Sequence, residues 1–122
     1  VRISMARVVE GIAAAHGVRA DLRFQDGYPA TINSGAEADF AASVADEVFG
    51  PEKVVRDQKP TMGSEDFSYY LQKLPGCYAF LGTGSGPACG QLHSSGFDFN
   101  DDAIPLGVAY WTTLARRFLA EG

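Results

Sequence analysis

Hydrophobic positions in the first part of the chain change their spacing at Gly17, which predicts a helix followed by a strand. Over residues 3–16 the apolar side chains recur at three- and four-residue steps, as on one face of a helix: Met5, Val8, Ile12 and Ala15. Gly17 stands where helices commonly end in a left-handed residue. Over residues 18–25 apolar and polar side chains alternate, which predicts a half-buried antiparallel strand with one face in water.

Gly27-Tyr28-Pro29 interrupts this strand and predicts a domain boundary. Pro29 fixes its own φ and favours extended backbone at Tyr28, so the chain is expected to cross over in a defined direction as far as Asn33. Asn33 and Ser34 are candidate caps of a second helix, which ends at Gly50-Pro51. Its apolar face is narrow and made mainly of small residues: Ala38, Ala41, Ala42, Ala45, Val48 and Phe49.

The second half of the chain alternates predicted strands and helices, so the sequence indicates the α/β class. Short strands are predicted at 53–56 and 77–81, the latter an almost continuous apolar run that is typical of a strand covered on both faces. Between them, Ser64 is the expected cap of a short helix with inward-facing Phe67, Tyr70, Leu71 and Leu74. A glycine-rich loop is predicted at 82–96 and is followed by a long helix. Asp101 or Asp102 is the expected cap of this helix, and Pro105 is tolerated in its first turn. Its predicted buried stripe consists of Ile104, Val108, Trp111, Ala115 and Phe118.

Composition excludes two classes of protein. The net charge is −5 and no Lys/Arg cluster offsets it, which argues against a protein that follows nucleic-acid phosphates. No uncharged apolar run approaches the roughly 18 residues of a membrane span. Cys77 and Cys89 are too few for a disulfide scaffold; two reduced thiols in a cytoplasmic protein are favoured over one bridge between them.

Two histidines are present, and they have different surroundings in the sequence. His16 ends the first helix, where a partly positive imidazole is favoured by the helix dipole. His93 lies in the loop after the buried strand, at the edge where open α/β sheets bind ligands. A neutral imidazole there is a good ligand for zinc, manganese or a similar cation, and a hydrogen-bonded loop histidine is the alternative.

The other polar groups carry weaker indications of chemistry. Glu65 and Asp66 are adjacent carboxylates that either share acid–base work or satisfy N–H groups in the first turn of a helix. Cys89 stands four residues before His93, but a single such pair is weak compared with a four-ligand zinc pattern. The glycines after residue 81 fit neither a phosphate loop nor a dinucleotide fingerprint, and they allow close approach of the backbone to a ligand or a neighbouring loop.

Three separated segments, in this order, resemble one family. They are Gly27–Asn33, Met62–Tyr70, and Leu92-His93 with Phe97–Asp102. Together they are similar to the C-terminal end of the metal-dependent amidohydrolases that include hippurate hydrolase, N-acyl-amino-acid amidohydrolases and plant indoleacetyl-amino-acid hydrolases. The likeness runs over essentially all 122 residues.

The resemblance implies an α/β catalytic domain of the zinc-exopeptidase type that carries a smaller inserted α+β lid or dimerisation domain. Residues 1–28 would be the last helix and strand of the lid, and residues 29–122 the C-terminal part of the catalytic domain. His93 matches the family's C-terminal metal-ligand histidine. A further group is expected to orient a metal ligand or line the substrate pocket: Glu65, Asp66, Gly82, Thr83 and Gly84.

The family's upstream metal-binding segments, general-base glutamate and lid histidine have no counterpart in these residues, and the chain begins at Val1 within a helical pattern. We therefore expect a fragment, inactive alone, of an enzyme that hydrolyses N-acyl amino acids through metal-activated water. A catalytic metal needs about three protein ligands. The expected cofactor is a divalent metal (zinc, manganese, cobalt or nickel), with two ions in the whole enzyme.

Two other interpretations stay open. One is a free-standing binding or interaction module that shares this fold segment without catalysis. The other is a structural fragment that is stable only through self-association. The amphipathic helix and open-edged strand of residues 1–26 favour pairing with a second copy or folding onto the remainder of the chain. The expected partners are thus a small N-acyl amino acid and a second copy, without nucleic acid or membrane.

Overall fold

The computed structural model describes residues 1–84, 90 and 92–121, and regular structure within them is helical. The helices are α1 (Arg2–Ala15), α2 (Gly35–Phe49), α3 (Ser68–Leu71) and α4 (Ala103–Glu121), with a 3₁₀ turn at Pro51–Lys53. None of the helices in these ranges is long and apolar enough to cross a membrane.

The first helix ends as its sequence predicts. Gly17 adopts a left-handed φ of 65°, the N–H of Val18 donates to the Ala13 carbonyl, and the N–H of Gly17 donates to the Ala14 carbonyl. These two bonds define a Schellman motif, which turns the chain back along the helix. Arg2, at the other end of α1, pairs with Asp26 and lies over the ring of Phe24, at 5.5 Å from its centroid.

The core of the described chain lies where α2 crosses α4. Val44 is completely buried there, and Ala41 and Ala103 are nearly so. The ring of Phe49 stacks on the ring of Tyr110 at 5.8 Å, and the Tyr110 hydroxyl donates to the Ala41 carbonyl at 3.2 Å. Of the face predicted for α2, Ala41 and Phe49 meet α4, whereas the completely buried Val44 was not among the predicted residues.

The buried stripe predicted for α4 is wrong by one residue. Every large member of that predicted stripe has more than half of its surface exposed: Ile104, Val108, Trp111 and Phe118. The buried or half-buried positions include the set one step earlier: Ala103, Gly107, Tyr110, Leu114 and Arg117. Tyrosine and arginine serve there because their long stems pack on α2 while their polar ends reach hydrogen-bond partners. Arg117, for example, lies over the Phe40 ring and donates to Ser43 Oγ.

The strands predicted at 18–25, 53–56 and 77–81 do not form ladders within the described residues, so only the helical part of the predicted α/β class is observed. A strand needs a neighbouring backbone to pair with. Residues 24–26 lie beside the helix α1 instead, through Arg2. Pro51 starts a 3₁₀ turn that includes Lys53, and the backbone of Tyr78 is paired by the side chain of Asn33.

Val44→Ala is expected to lower the free energy of unfolding by about 2 kcal/mol, because it deletes two fully buried methyl groups and leaves a cavity between α2 and α4. Val55→Ala is the matched control, since 69 % of Val55 is exposed and its truncation should change stability little. Urea denaturation of both variants measures the difference. Equal losses in the two variants would contradict this description of the core.

Candidate functional site

Asn33 and Ser34 hold residues 76–78 rather than capping α2. The side-chain amide of Asn33 donates to the Tyr78 carbonyl at 2.9 Å and accepts the Tyr78 N–H at 2.8 Å. The N–H of Ser34 donates to the Gly76 carbonyl, and Ser34 Oγ accepts the Gly76 N–H. Ser34 is still the residue before α2, but neither side chain bonds to the helix N–H groups. Asn33 and Ser34 thus join the segment that follows Pro29 to residues 76–78, which precede the glycine-rich loop.

Ser64 does not cap α3, because Phe67 is the residue before that helix and no side-chain cap bond is present there. Glu65 lies just before this helix. Its Oε1 accepts the N–H of Phe67 at 3.2 Å, and its Oε2 accepts the hydroxyl of Tyr78 at 2.9 Å. The hydrogen bond from Tyr78, followed by that from the Phe67 backbone, lowers the pKa of Glu65. The same bond to Glu65 raises the pKa of Tyr78. Glu65 is half-buried and Asp66 is exposed, so the two adjacent carboxylates have different surroundings.

Aromatic rings surround the Tyr78 side chain. Its ring lies 5.7 Å from the ring of Phe67 and 5.4 Å from that of Phe80, the latter edge to face. Edge-to-face and tilted ring pairs at these separations add roughly 0.5–1.5 kcal/mol beyond burial. Tyr78 is therefore restrained at its backbone by Asn33 and at its ring by two phenylalanines.

Described residues from both ends of the glycine-rich segment line a cavity of about 470 Å³, a size typical of small-molecule sites. Thr83 and Gly84, two of the predicted pocket residues, line this cavity, whereas Gly82 does not. The Nδ2 of Asn100 donates to the Thr83 carbonyl at 3.0 Å and so ties the near side of the loop to the start of α4. The rest of the lining is mostly apolar: Leu81, Gly90, Leu92, Phe97 and Phe99.

His93 directly follows Leu92, which lines the cavity, and its backbone conformation is unusual. Its φ is 66°, the only left-handed φ at a non-glycine residue within the described ranges. This conformation costs roughly 1–2 kcal/mol for an ordinary L-residue. The imidazole is exposed. Conformations of this kind concentrate at functional sites, where surrounding contacts enforce them.

Three residues before His93, the backbone of Gly90 closely approaches that of Gly96. A Cβ on Gly90 would overlap the carbonyl group of Gly96 and would lie 2.7 Å from the amide nitrogen of Phe97. Real Cβ atoms do not approach backbone so closely, so only glycine fits at residue 90. The loop that carries His93 is thus closed by a backbone contact that the sequence cannot display.

A metal needs about three ligands from the protein, and the described residues bring no three His, Cys, Asp or Glu side chains together. His93 fits the requirement for one ligand, because it is an exposed imidazole on a restrained backbone. Cys77 is half-buried and forms no disulfide within the described ranges; burial, and next the charge of Glu37, raises its pKa. Cys89 lies outside the described residues, so the expectation of two reduced thiols, and the weaker indication of a thiolate near a metal at His93, stay untested.

The sequence did not point to Tyr78, nor to the roles of Asn33 and Asn100 described above. A hydroxyl within the apolar run 77–81 was the available indication for Tyr78, since a Tyr O–H in a covered segment needs a partner. Asparagine is common in turns and helix caps, so the sequence favoured those roles for Asn33 and Asn100 over hydrogen bonds that join distant loops.

Comparison with known proteins decides the family. Residues 4–117 match the profile of peptidase family M20/M25/M40. The chain belongs to this family. As a member of the M20 family it is 31 % identical to a hippurate hydrolase of Campylobacter jejuni over 113 residues, which cover 93 % of this chain and 29 % of that enzyme.

Two further relatives of this M20 segment are also much longer than the chain. A thermostable carboxypeptidase 1 of Saccharolobus solfataricus is 34 % identical over 117 residues, which cover 93 % of the chain and 29 % of the relative. An N-acetylcysteine deacetylase of Bacillus subtilis is 33 % identical over 111 residues, which cover 91 % of the chain and 28 % of that relative. The chain thus spans less than a third of the length of these curated relatives. No solved structure matches it.

Proposed function

We propose that this M20 segment belongs to a longer metal-dependent amidohydrolase that cleaves the amide bond of N-acyl amino acids, with His93 as one of its metal ligands. The observation that carries the proposal is the left-handed backbone of His93 in a loop closed by the Gly90–Gly96 contact. Relatives named hippurate hydrolase and N-acetylcysteine deacetylase support the substrate class, because both names denote acylated amino acids.

The residues of this chain would supply positioning rather than a complete catalytic set. His93 would donate one ring nitrogen to the metal, which when bound supplies an activated water for attack on the amide. Glu65 and Asp66 do not line the cavity described above, and they would act beside the reacting groups as carboxylates in two different environments. Thr83 and Gly84 would line the part of the pocket that receives an apolar portion of the substrate.

Exposed apolar stripes on α1 and α4 support the idea of a larger parent protein. The predicted inner face of α1 is open to solvent at Met5, Val8 and Ile12, and α1 contacts no other helix among the described residues. Contiguous apolar surface of this kind is typical of an interface. The division into a lid segment at 1–28 and a catalytic segment at 29–122, self-association through residues 1–26, and the cytoplasmic location stay predictions.

The test is hydrolysis of a panel of N-acetyl, N-benzoyl and indoleacetyl amino acids by the full-length protein. We expect turnover of at least one of these substrates, loss of that turnover after dialysis against a chelator, and recovery on addition of zinc, manganese, cobalt or nickel. The 122-residue chain assayed in parallel should show no turnover, since its described residues hold no three-ligand cluster.

The second candidate function is a binding or interaction module that shares this fold segment without catalysis. A full-length protein that binds metal but hydrolyses none of the panel would support this second function. Turnover that survives complete removal of metal would overturn metal dependence.

A further inference from the structure

The carboxylate of Glu65 is held by two donors that come from different parts of the chain. Phe67 supplies a backbone N–H from two residues away, and Tyr78 supplies a hydroxyl from 13 residues away. Each donor engages a different oxygen, so the carboxylate can neither rotate nor swing without breaking a bond.

Tyr78 is itself fixed before it reaches Glu65. The Asn33 amide binds both the N–H and the carbonyl of Tyr78, as a paired strand would do, across 45 residues of sequence. Phe67 and Phe80 restrain its ring. A chain of contacts therefore runs from Asn33 through Tyr78 to Glu65.

We propose that Tyr78 is a positioning residue of the active site: its hydroxyl fixes the orientation of the Glu65 carboxylate, and Asn33 holds Tyr78 in place. This inference rests on the proposed function, because it assumes that Glu65 lies beside the reacting groups. A purely structural role would make Tyr78 matter for stability. If Tyr78 has a positioning role, its substitution lowers turnover, and it does so only in an enzyme that retains Glu65.

Tyr78→Phe in the full-length enzyme is the direct test, since it removes one oxygen and keeps the ring that packs on Phe67 and Phe80. Tyr70→Phe is the matched control: its ring also stacks on Phe67, at 5.7 Å, but its hydroxyl does not bond to Glu65. We expect Tyr78→Phe to reduce kcat/KM about tenfold, the lower end of the loss seen when an orienting partner is removed. Tyr70→Phe should leave it unchanged.

A double-mutant cycle with Glu65→Gln separates positioning from folding. If Tyr78 acts through Glu65, Tyr78→Phe should cost nothing further in the Glu65→Gln enzyme. A ¹³C NMR titration of labelled glutamate carboxyl groups gives a readout that does not depend on turnover. The resonance that disappears in Glu65→Gln should titrate at higher pH in Tyr78→Phe, because the lost hydrogen bond no longer favours the ionised form. Asn33→Ala should shift both readouts in the same direction, by a smaller amount.

The outcomes separate this inference from the proposed function. Full activity in Tyr78→Phe, in an enzyme that needs its metal, would overturn the positioning role and leave the proposed function standing. Equal losses from Tyr78→Phe with and without Glu65 would also overturn it. A full-length protein that turns over none of the panel, yet shows the NMR shift, would overturn the proposed function and the active-site role while retaining the Tyr78–Glu65 hydrogen bond.

Discussion

Replacing His93 by asparagine in the full-length protein is expected to remove bound metal and amide hydrolysis together. Asparagine is among the residues that best tolerate a left-handed φ, so the loop backbone at 66° is retained while the imidazole is lost. The loss of turnover should exceed the roughly 10- to 100-fold cost of removing a group that merely orients a metal ligand. Metal content of the purified variant and hydrolysis of the acyl-amino-acid panel measure the two effects.

His16→Asn is the control for this experiment, because His16 is the other histidine of the chain and is an exposed residue at the end of α1. It should keep both metal and activity. Wild-type metal content and turnover in His93→Asn would refute the assignment of His93. Loss of both in His16→Asn would show that the assay reports stability of the whole protein rather than ligation.

Local features of the chain could be predicted from its sequence because they depend on neighbouring residues. The end of α1 at Gly17 and the end of α2 at Gly50, where φ is 89°, follow from the freedom of glycine to adopt positive φ. Such features need no knowledge of what lies across the fold.

Features that depend on distant residues were predicted poorly. Three segments with strand propensity form no ladder among the described residues, because a ladder requires a second backbone and propensity does not supply one. The face of α4 was misassigned because its most hydrophobic stripe is not the one that meets α2. Ser34 and Asn33 have strong capping propensity, yet they bond to residues more than 40 positions away.

The candidate site shows the same division. Motif resemblance picked out His93, Glu65, Thr83 and Gly84 without any geometry. The partners that restrain these residues were found only in the structure, because they are separated in sequence or act through backbone atoms: Tyr78 for Glu65, Asn100 for Thr83, and Gly90 for the His93 loop. A site's chemistry can thus be anticipated from residue types, whereas its rigidity depends on contacts that the sequence does not display.

The second large effect expected is from Gly90→Ala, which adds one methyl group where the loop has no space for it. The new Cβ would overlap the carbonyl group of Gly96 and would crowd the amide of Phe97, both of which are backbone and cannot rotate away. The loop must therefore open, and His93 moves with it. Because a displacement of about 1 Å at a reacting group can cost roughly 100-fold in rate, we expect kcat/KM to fall by about that factor.

Gly96→Ala makes this a test of one contact rather than of glycine in general. A Cβ on Gly96 meets nothing within 4 Å, and the backbone there does not have a positive φ, so the same added methyl should be tolerated. Both variants keep α2, α4 and Val44, and urea denaturation should therefore give similar stabilities for the two. Reduced metal affinity in Gly90→Ala alone would locate the effect in the His93 loop. Equal activity in the two variants would mean that the Gly90–Gly96 approach does not position His93, and the left-handed backbone of that residue would then need another cause.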